Sequence, residues 1–182
     1  MSLEVVIIVV AACLILQALF AGSEIALISC DKIKLKAVAE TGSKRAKLVL
    51  KSFLEIERFI STTLVGINLS LITSTIVLTF YIQDTYGVGK EFYTVLILSP
   101  LIVIFGQVVP KAVFQKRANC MVLWVIYPLW IVSKIFSPIL FVVNLFTKGL
   151  LKFIGSTENP FITREELIYA IEGGGAAPQS GY

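Results

Sequence analysis

Apolar residues in this chain fall into four long blocks, and the polar residues inside and between those blocks carry most of the information. The first block is unbroken through the twelve residues 5–16 and continues to residue 29 with few interruptions. A first span is expected at 3–29, long enough to cross a bilayer with some tilt. Gln17, Glu24 and Asp31 are seven residues apart and so share one helix face. Gln17 is expected to make an interhelical hydrogen bond. Glu24 lies roughly 8 Å short of the segment's end at about 1.5 Å rise per residue. A carboxylate at that depth needs protein, water or an ion beside it.

The pattern changes abruptly at 31–58, where eight Lys and Arg residues stand against four Asp and Glu. Apolar residues recur at helical spacing on both sides of Thr41-Gly42-Ser43. Gly42 suits the end of one helix and Ser43 the cap of the next. Two short amphipathic juxtamembrane helices are expected, with their lysines facing anionic lipid headgroups. The cationic excess places this segment in the cytoplasm and the N-terminus outside.

The second block, 59–82, is polar for a span. Gly66, Ser70 and Ser74 form a small-xxx-small series that favours close packing, and Ser61, Asn68 and Thr75 form a second stripe. Asn68, near mid-span, calls for a partner, either a neighbouring helix or an ion. A weakly charged outer loop leads to a third span at 92–109, which contains Pro100 and is followed by Pro110. A proline has no N–H for the carbonyl four residues earlier, so Pro110 is expected to release the Gly106 carbonyl. A released carbonyl beside Gln107 resembles the cation sites of broken transporter helices; a simple kink or helix end before Lys111 is the other reading.

The fourth block, 121–154, is interrupted by Pro128 and Pro138. Lys134, Ser137, Asn144, Lys148 and Lys152 fall in a narrow arc at 100° per residue. A kinked belt helix along the inner face is therefore expected rather than a fourth span. Thr163 and Glu166 form a capping box that opens a short helix, within a linker at 156–172 leading towards a further domain. The Gly/Ala/Pro-rich tail at 173–182 is expected to be disordered.

Composition narrows the function. Hydrophobic residues make up 57% of the chain, above the ~45–50% of soluble domains. The first block lacks a basic leader and reaches full spanning length, so it reads as a retained span rather than a cleaved signal. A net charge of +4 fits a membrane surface better than a nucleic-acid partner. Cys13, Cys30 and Cys120 have no metal-type spacing and read as small apolar residues. The chain has no histidine, which removes the commonest general base and transition-metal ligand; an enzyme is not expected. With three spans, Ser23, Glu24, Asn68, Ser70, Gly106 and Gln107 all fall between mid-membrane and the cytoplasmic face. Hydroxyl, carboxamide, carboxylate and carbonyl oxygens are hard ligands suited to Mg²⁺ or Na⁺.

Five motifs in order, FAGSEIALIS (20–29), DKIKLKAVAETGSKRAKLVL (31–50), TTLVGINLSL (62–71), GQVVPK (106–111) and TREEL (163–167), resemble the transmembrane domain of the CNNM/CorC family of magnesium transporters. The resemblance implies an all-α membrane domain at 1–155 with three transmembrane helices, juxtamembrane helices and a belt. It also implies a homodimer in the cell membrane that exports Mg²⁺ in exchange for Na⁺ entry. A cytosolic CBS-pair domain that binds nucleotide would follow. Carried over by motif, Ser23, Asn68, Ser70 and the Gly106 carbonyl are the implied cation ligands, with Glu24 supplying charge. Two positions depart from the family: Gln107 stands where an acid is usual, and Ile67 where the first of two asparagines is usual. A non-transporting scaffold or Mg²⁺ sensor is the alternative to transport.

Overall fold

The computed structural model describes residues 2–87 and 89–139. Every element among them is helical. The second part of the expected belt, the linker helix and the tail lie outside the described residues.

Helix α1 (Leu3–Ser29) matches the first expected span. Its buried stripe contains Val6, Cys13, Gln17, Ala21, Gly22 and Ala26, whereas Ile7, Ile8, Ile15 and Ile28 are exposed. Lipid solvates large aliphatic side chains as well as protein does, so small residues are left for the helix contacts. Helix α2 (Lys32–Glu40) is capped by Asp31, whose carboxylate accepts from the N–H groups of Ile33 (2.9 Å) and Lys34 (3.2 Å). Gly42, at φ +96°, turns the chain after α2. Ser43 then caps α3 (Lys44–Ser52) by accepting from the Ala46 N–H at 3.3 Å. The break expected at 41–43 is therefore present. Leu35 and Val49 turn inward from these two amphipathic helices to join the core.

A 3₁₀ turn (Phe53–Glu55) leads into α4 (Ile56–Tyr86), whose 31 residues extend past both ends of the expected 59–82. The backbone ladder runs on through the residues on either side, and the helix stops only at Gly87, at φ +89°. Phe20 of α1 packs on Gly66; a methyl added there would lie 2.6 Å from the ring. Ser70 and Ser74 continue this buried line, so the small-residue series forms the close contact expected of it.

The third span differs from expectation. It is one continuous helical run, α5 (Glu91–Leu101), a π-helical segment (Ile102–Val108) and α6 (Val109–Lys116). Pro110 follows the π-helical segment at the start of α6, and the helical run continues through it to Lys116. Gln17 meets Gly106 and Glu24 meets Lys111, so α1 and this third helix run in the same direction.

Helix α7 (Ala118–Ile135) starts before the expected belt and ends within it. Pro138 has no N–H to extend the ladder from Lys134. Asn119 Oδ1 accepts from the Asp31 N–H at 2.7 Å, and Ser133 O accepts from Arg58 Nη2 at 3.5 Å. Asp31 follows the end of α1 and Arg58 lies in the first turn of α4, so both ends of α7 are tied to the same end of the bundle. Its middle packs Val122, Ile126 and Leu129 on Ala26, Leu27, Leu35, Val49 and Phe59. By length and composition α1, α4, the third helix and α7 could each cross a membrane, and these contacts tie both ends of α7 to the end of the bundle where α1 stops and α4 begins. The described cysteines are all free, and burial pushes the Cys30 thiol, just beyond α1, up to about 11.

The Phe20–Gly66 contact gives a direct test. Gly66→Ala forces the ring to move and is expected to cost about 1–3 kcal/mol, read as a lower Tm in detergent. Phe20→Leu in the same chain should recover part of that loss. An unchanged Tm for Gly66→Ala would contradict the close approach.

Candidate cation site around the pi-helical segment

Most hydroxyl side chains of α4 bond within their own helix. Thr62, Thr63, Ser70, Thr73, Ser74 and Thr75 each donate a hydroxyl proton to a carbonyl three or four residues back, at 2.7–2.9 Å. Short hydroxyl side chains can do this without leaving the helix surface. Polarity in this span is thus no sign of an ion by itself.

The six residues singled out in the sequence are dispersed over several faces. Ser23 is buried, donates to Leu19 O at 2.6 Å, and lines a small cavity of about 110 Å³ facing Val125, Pro128 and Leu129 of α7. Asn68 lies on the exposed side of α4 and donates from Nδ2 to Leu64 O at 2.9 Å. Ile67, beside it, points inward. Ser70 is buried on the Gly66 line. Gln107 lines a cavity of about 290 Å³ between α4 and the third helix, together with Leu71, Thr75, Thr94 and Ser99. Gly106 faces α1.

Glu24 has its partner within the chain. Lys111 Nζ is 3.3 Å from Glu24 Oε2, with the carboxylate side chain 16% exposed and the lysine 42%. The oxygen has no partner that meets hydrogen-bond geometry, so the contact is an ion pair held by charge rather than a directed hydrogen bond. One turn past the π-helical segment, a cation of the protein therefore already faces the acid that the sequence offers to a metal. Among the described residues no group of three His, Cys, Asp or Glu could hold a metal ion.

Gln17 behaves differently from the hydroxyls. It is fully buried, and neither Oε1 nor Nε2 has a hydrogen-bond partner, contrary to the interhelical bond expected of it. Oε1 lies over Gly106, 2.9 Å from where a methyl would sit. Leaving such a group unpaired costs roughly 1–3 kcal/mol. π-helical turns are uncommon and concentrate at functional sites. Within this one the Val109 N–H bonds to Ile104 O, and Pro110 brings no N–H. At π spacing it is the Phe105 carbonyl that loses the Pro110 donor; at α spacing it is that of Gly106. On the other side of the segment, Thr94 Oγ1 is also buried without a partner and lines the Gln107 cavity. Carboxamide and hydroxyl oxygens thus flank the π-helical segment on both sides, all of them neutral. The seven-residue step back from Glu24 marked Gln17, but nothing in the sequence pattern marked Thr94 or the pairing of Lys111.

The ion pair can be tested by charge exchange. Glu24→Lys and Lys111→Glu should each destabilise the protein by about 1–2 kcal/mol, the lower range for a partly exposed pair. The double exchange should regain most of the loss in thermal unfolding. Additive losses would show that the two groups do not interact.

Comparison with known proteins gives the family. The family described as the cyclin M (CNNM) transmembrane N-terminal domain matches residues 7–178. A UPF0053 protein of Haemophilus influenzae is 29% identical over 180 residues, covering 97% of this chain and 43% of that protein. A UPF0053 protein of Synechocystis is 27% identical, again over 97% of this chain and 43% of its own length. A Caenorhabditis elegans protein named metal transporter cnnm-4 is 28% identical over 143 residues, 73% of this chain and 30% of that protein. The chain spans less than half the length of these relatives. With the family match covering nearly the whole sequence and several helices apolar enough to cross a bilayer, this chain is a multi-pass membrane protein that belongs to the cyclin M transmembrane N-terminal domain family.

Proposed function

We propose that this chain is the membrane domain of a Mg²⁺ transporter that exports Mg²⁺ from the cytoplasm in exchange for Na⁺. The observation that carries the reading is Gln17, a fully buried carboxamide without a partner, set on Gly106 inside a π-helical segment. Such a group gains what it lacks when a cation or its water arrives. Mg²⁺ dehydrates reluctantly and keeps several waters, so neutral oxygens at Gln17, Gln107 and the freed carbonyls can contact the hydrated ion. Family membership and a relative named as a metal transporter support the same reading.

In this reading Ser23, Glu24, Asn68, Ser70, Gly106 and Gln107 remain the cation-handling positions. Glu24 acts through its pairing with Lys111, and Ser23 and Asn68 join when the helices shift or a second protomer docks. The protein is a homodimer in the cell membrane with the N-terminus outside. Helix α7 is the inner belt, and the cytosolic CBS-pair domain of the longer protein binds nucleotide. A scaffold or sensor that does not transport is the second reading, favoured by the neutral Gln107 and by Lys111 holding Glu24.

Flux through vesicles holding the purified protein separates the two. Saturable Mg²⁺ efflux that depends on a Na⁺ gradient is expected, with Glu24→Ala and Asn68→Ala each abolishing it; normal efflux in both would remove these positions from the site. Gln107→Glu places a carboxylate beside the π-helical segment and should tighten Mg²⁺ binding on the order of tenfold, about 1.4 kcal/mol. An unchanged Mg²⁺ titration would put position 107 out of reach of the ion. No flux from the unaltered protein, with Mg²⁺ still binding, would favour the sensor.

A further inference from the structure

Away from the π-helical segment, a cavity of about 280 Å³ opens where α3, the 3₁₀ turn, the start of α4 and the end of α7 meet. Lys51, Arg58 and Lys134 line it with Ser52 and Ser133, against the one acid Glu55. We infer that this cavity binds the phosphate headgroup of an anionic phospholipid.

The cations are arranged for a ligand rather than for one another. Arg58 is held in place by Glu55 Oε2, 3.0 Å from Nη1, and by the Ser133 carbonyl at 3.5 Å from Nη2. A guanidinium has five N–H donors in a planar fork, so most remain free for phosphate oxygens. Lys134 Nζ stands 3.8 Å from the centre of the Trp130 ring, a cation–π contact that steadies the ammonium at the rim. The single carboxylate leaves an excess of two positive charges among the lining groups. The volume is many times the ~30 Å³ that one water occupies in the liquid, enough for a phosphate with its hydration.

Surroundings favour a lipid over a soluble phosphate compound. Leu54, Ile131 and Ile135 stand 85%, 53% and 65% exposed on the 3₁₀ turn and α7, next in sequence to lining residues. A polar, cationic recess beside exposed aliphatic side chains matches a molecule with a phosphate head and hydrocarbon tails. The recess also lies at the basic end of the bundle, and basic pockets between membrane helices on that side are suited to anionic headgroups. The cavity shares no residue with the π-helical segment.

The test uses the purified protein in detergent, titrated with phosphatidylglycerol, phosphatidylcholine or inorganic phosphate, and reads thermal stability and retained lipid by native mass spectrometry. Phosphatidylglycerol is expected to bind and raise Tm, and the other two to do neither. Lys134→Gln, at an exposed position, and Arg58→Gln should each weaken phosphatidylglycerol binding roughly fivefold. Lys116→Gln, at an exposed position at the end of α6 and outside both the cavity and the juxtamembrane helices, removes the same charge and should leave binding unchanged. Equal weakening by Lys116→Gln would reduce the effect to general surface attraction and overturn the site. Equal stabilisation by inorganic phosphate would overturn the lipid assignment.

Discussion

The close approach of α1 to its neighbours is the constraint on which the described structure depends. Phe20 rests on Gly66, Gln17 on Gly106, and Phe114 on Gly22. Each contact puts a large side chain where a single methyl on the partner would collide. In a bilayer, aliphatic residues gain little by leaving lipid, so helices associate through backbone proximity and shape. Glycine at these three points lets α1 sit against α4 and the third helix at once. The fixed neighbours in turn set the level at which Gln17 and Glu24 face the third helix.

That position sets Gln17 apart from the hydroxyls of α4. The hydroxyls of α4 return to their own backbone, and Glu24 meets Lys111. Gln17 has a longer side chain and a buried setting, and is left with an amide that nothing satisfies. Directly opposite, the helix is wound as π, where Pro110 withholds a donor. An unsatisfied carboxamide and a carbonyl short of a donor thus occur together, beside a helix whose short hydroxyl side chains return to their own backbone. This coincidence, rather than the number of polar residues, separates a candidate ion path from ordinary bundle polarity.

The basic end follows a different logic. Helices α2 and α3 turn Leu35 and Val49 inward to the belt-like α7, while their lysines face out. Arg45 lies 5.8 Å from the Tyr127 ring centre and Lys32 5.0 Å from that of Phe53. Aromatic rings and cations therefore meet at the end where α1 stops and α4 begins. This layer holds α7 across the bundle by contacts at both of its ends, and gives the protein a charged face suited to headgroups.

Local chemistry along the chain was enough to determine the helical class, the first span and the break at 41–43, because hydrophobic blocks, Asp31, Gly42 and Ser43 act on their immediate neighbours. The small-residue line at Gly66, Ser70 and Ser74 was legible for the same reason. Span ends at 59–82 and 92–109 were less so, since polar residues that leave the apolar core continue a helix readily, and a proline in the first turn of α6 does not break it. The candidate site was legible in composition but not in arrangement. The sequence brought Ser23, Asn68 and Gln107 to similar depths, yet rotation about each helix axis, set by the packing of α1, turned them towards α7, the exposed face and the α4 cavity. Tertiary structure alone decided that Lys111 answers Glu24, that Gln17 goes unanswered beside Gly106, and that both ends of α7 lie on one side. Each of these depends on which face of one helix meets another, and a residue's own neighbours in sequence carry no record of that.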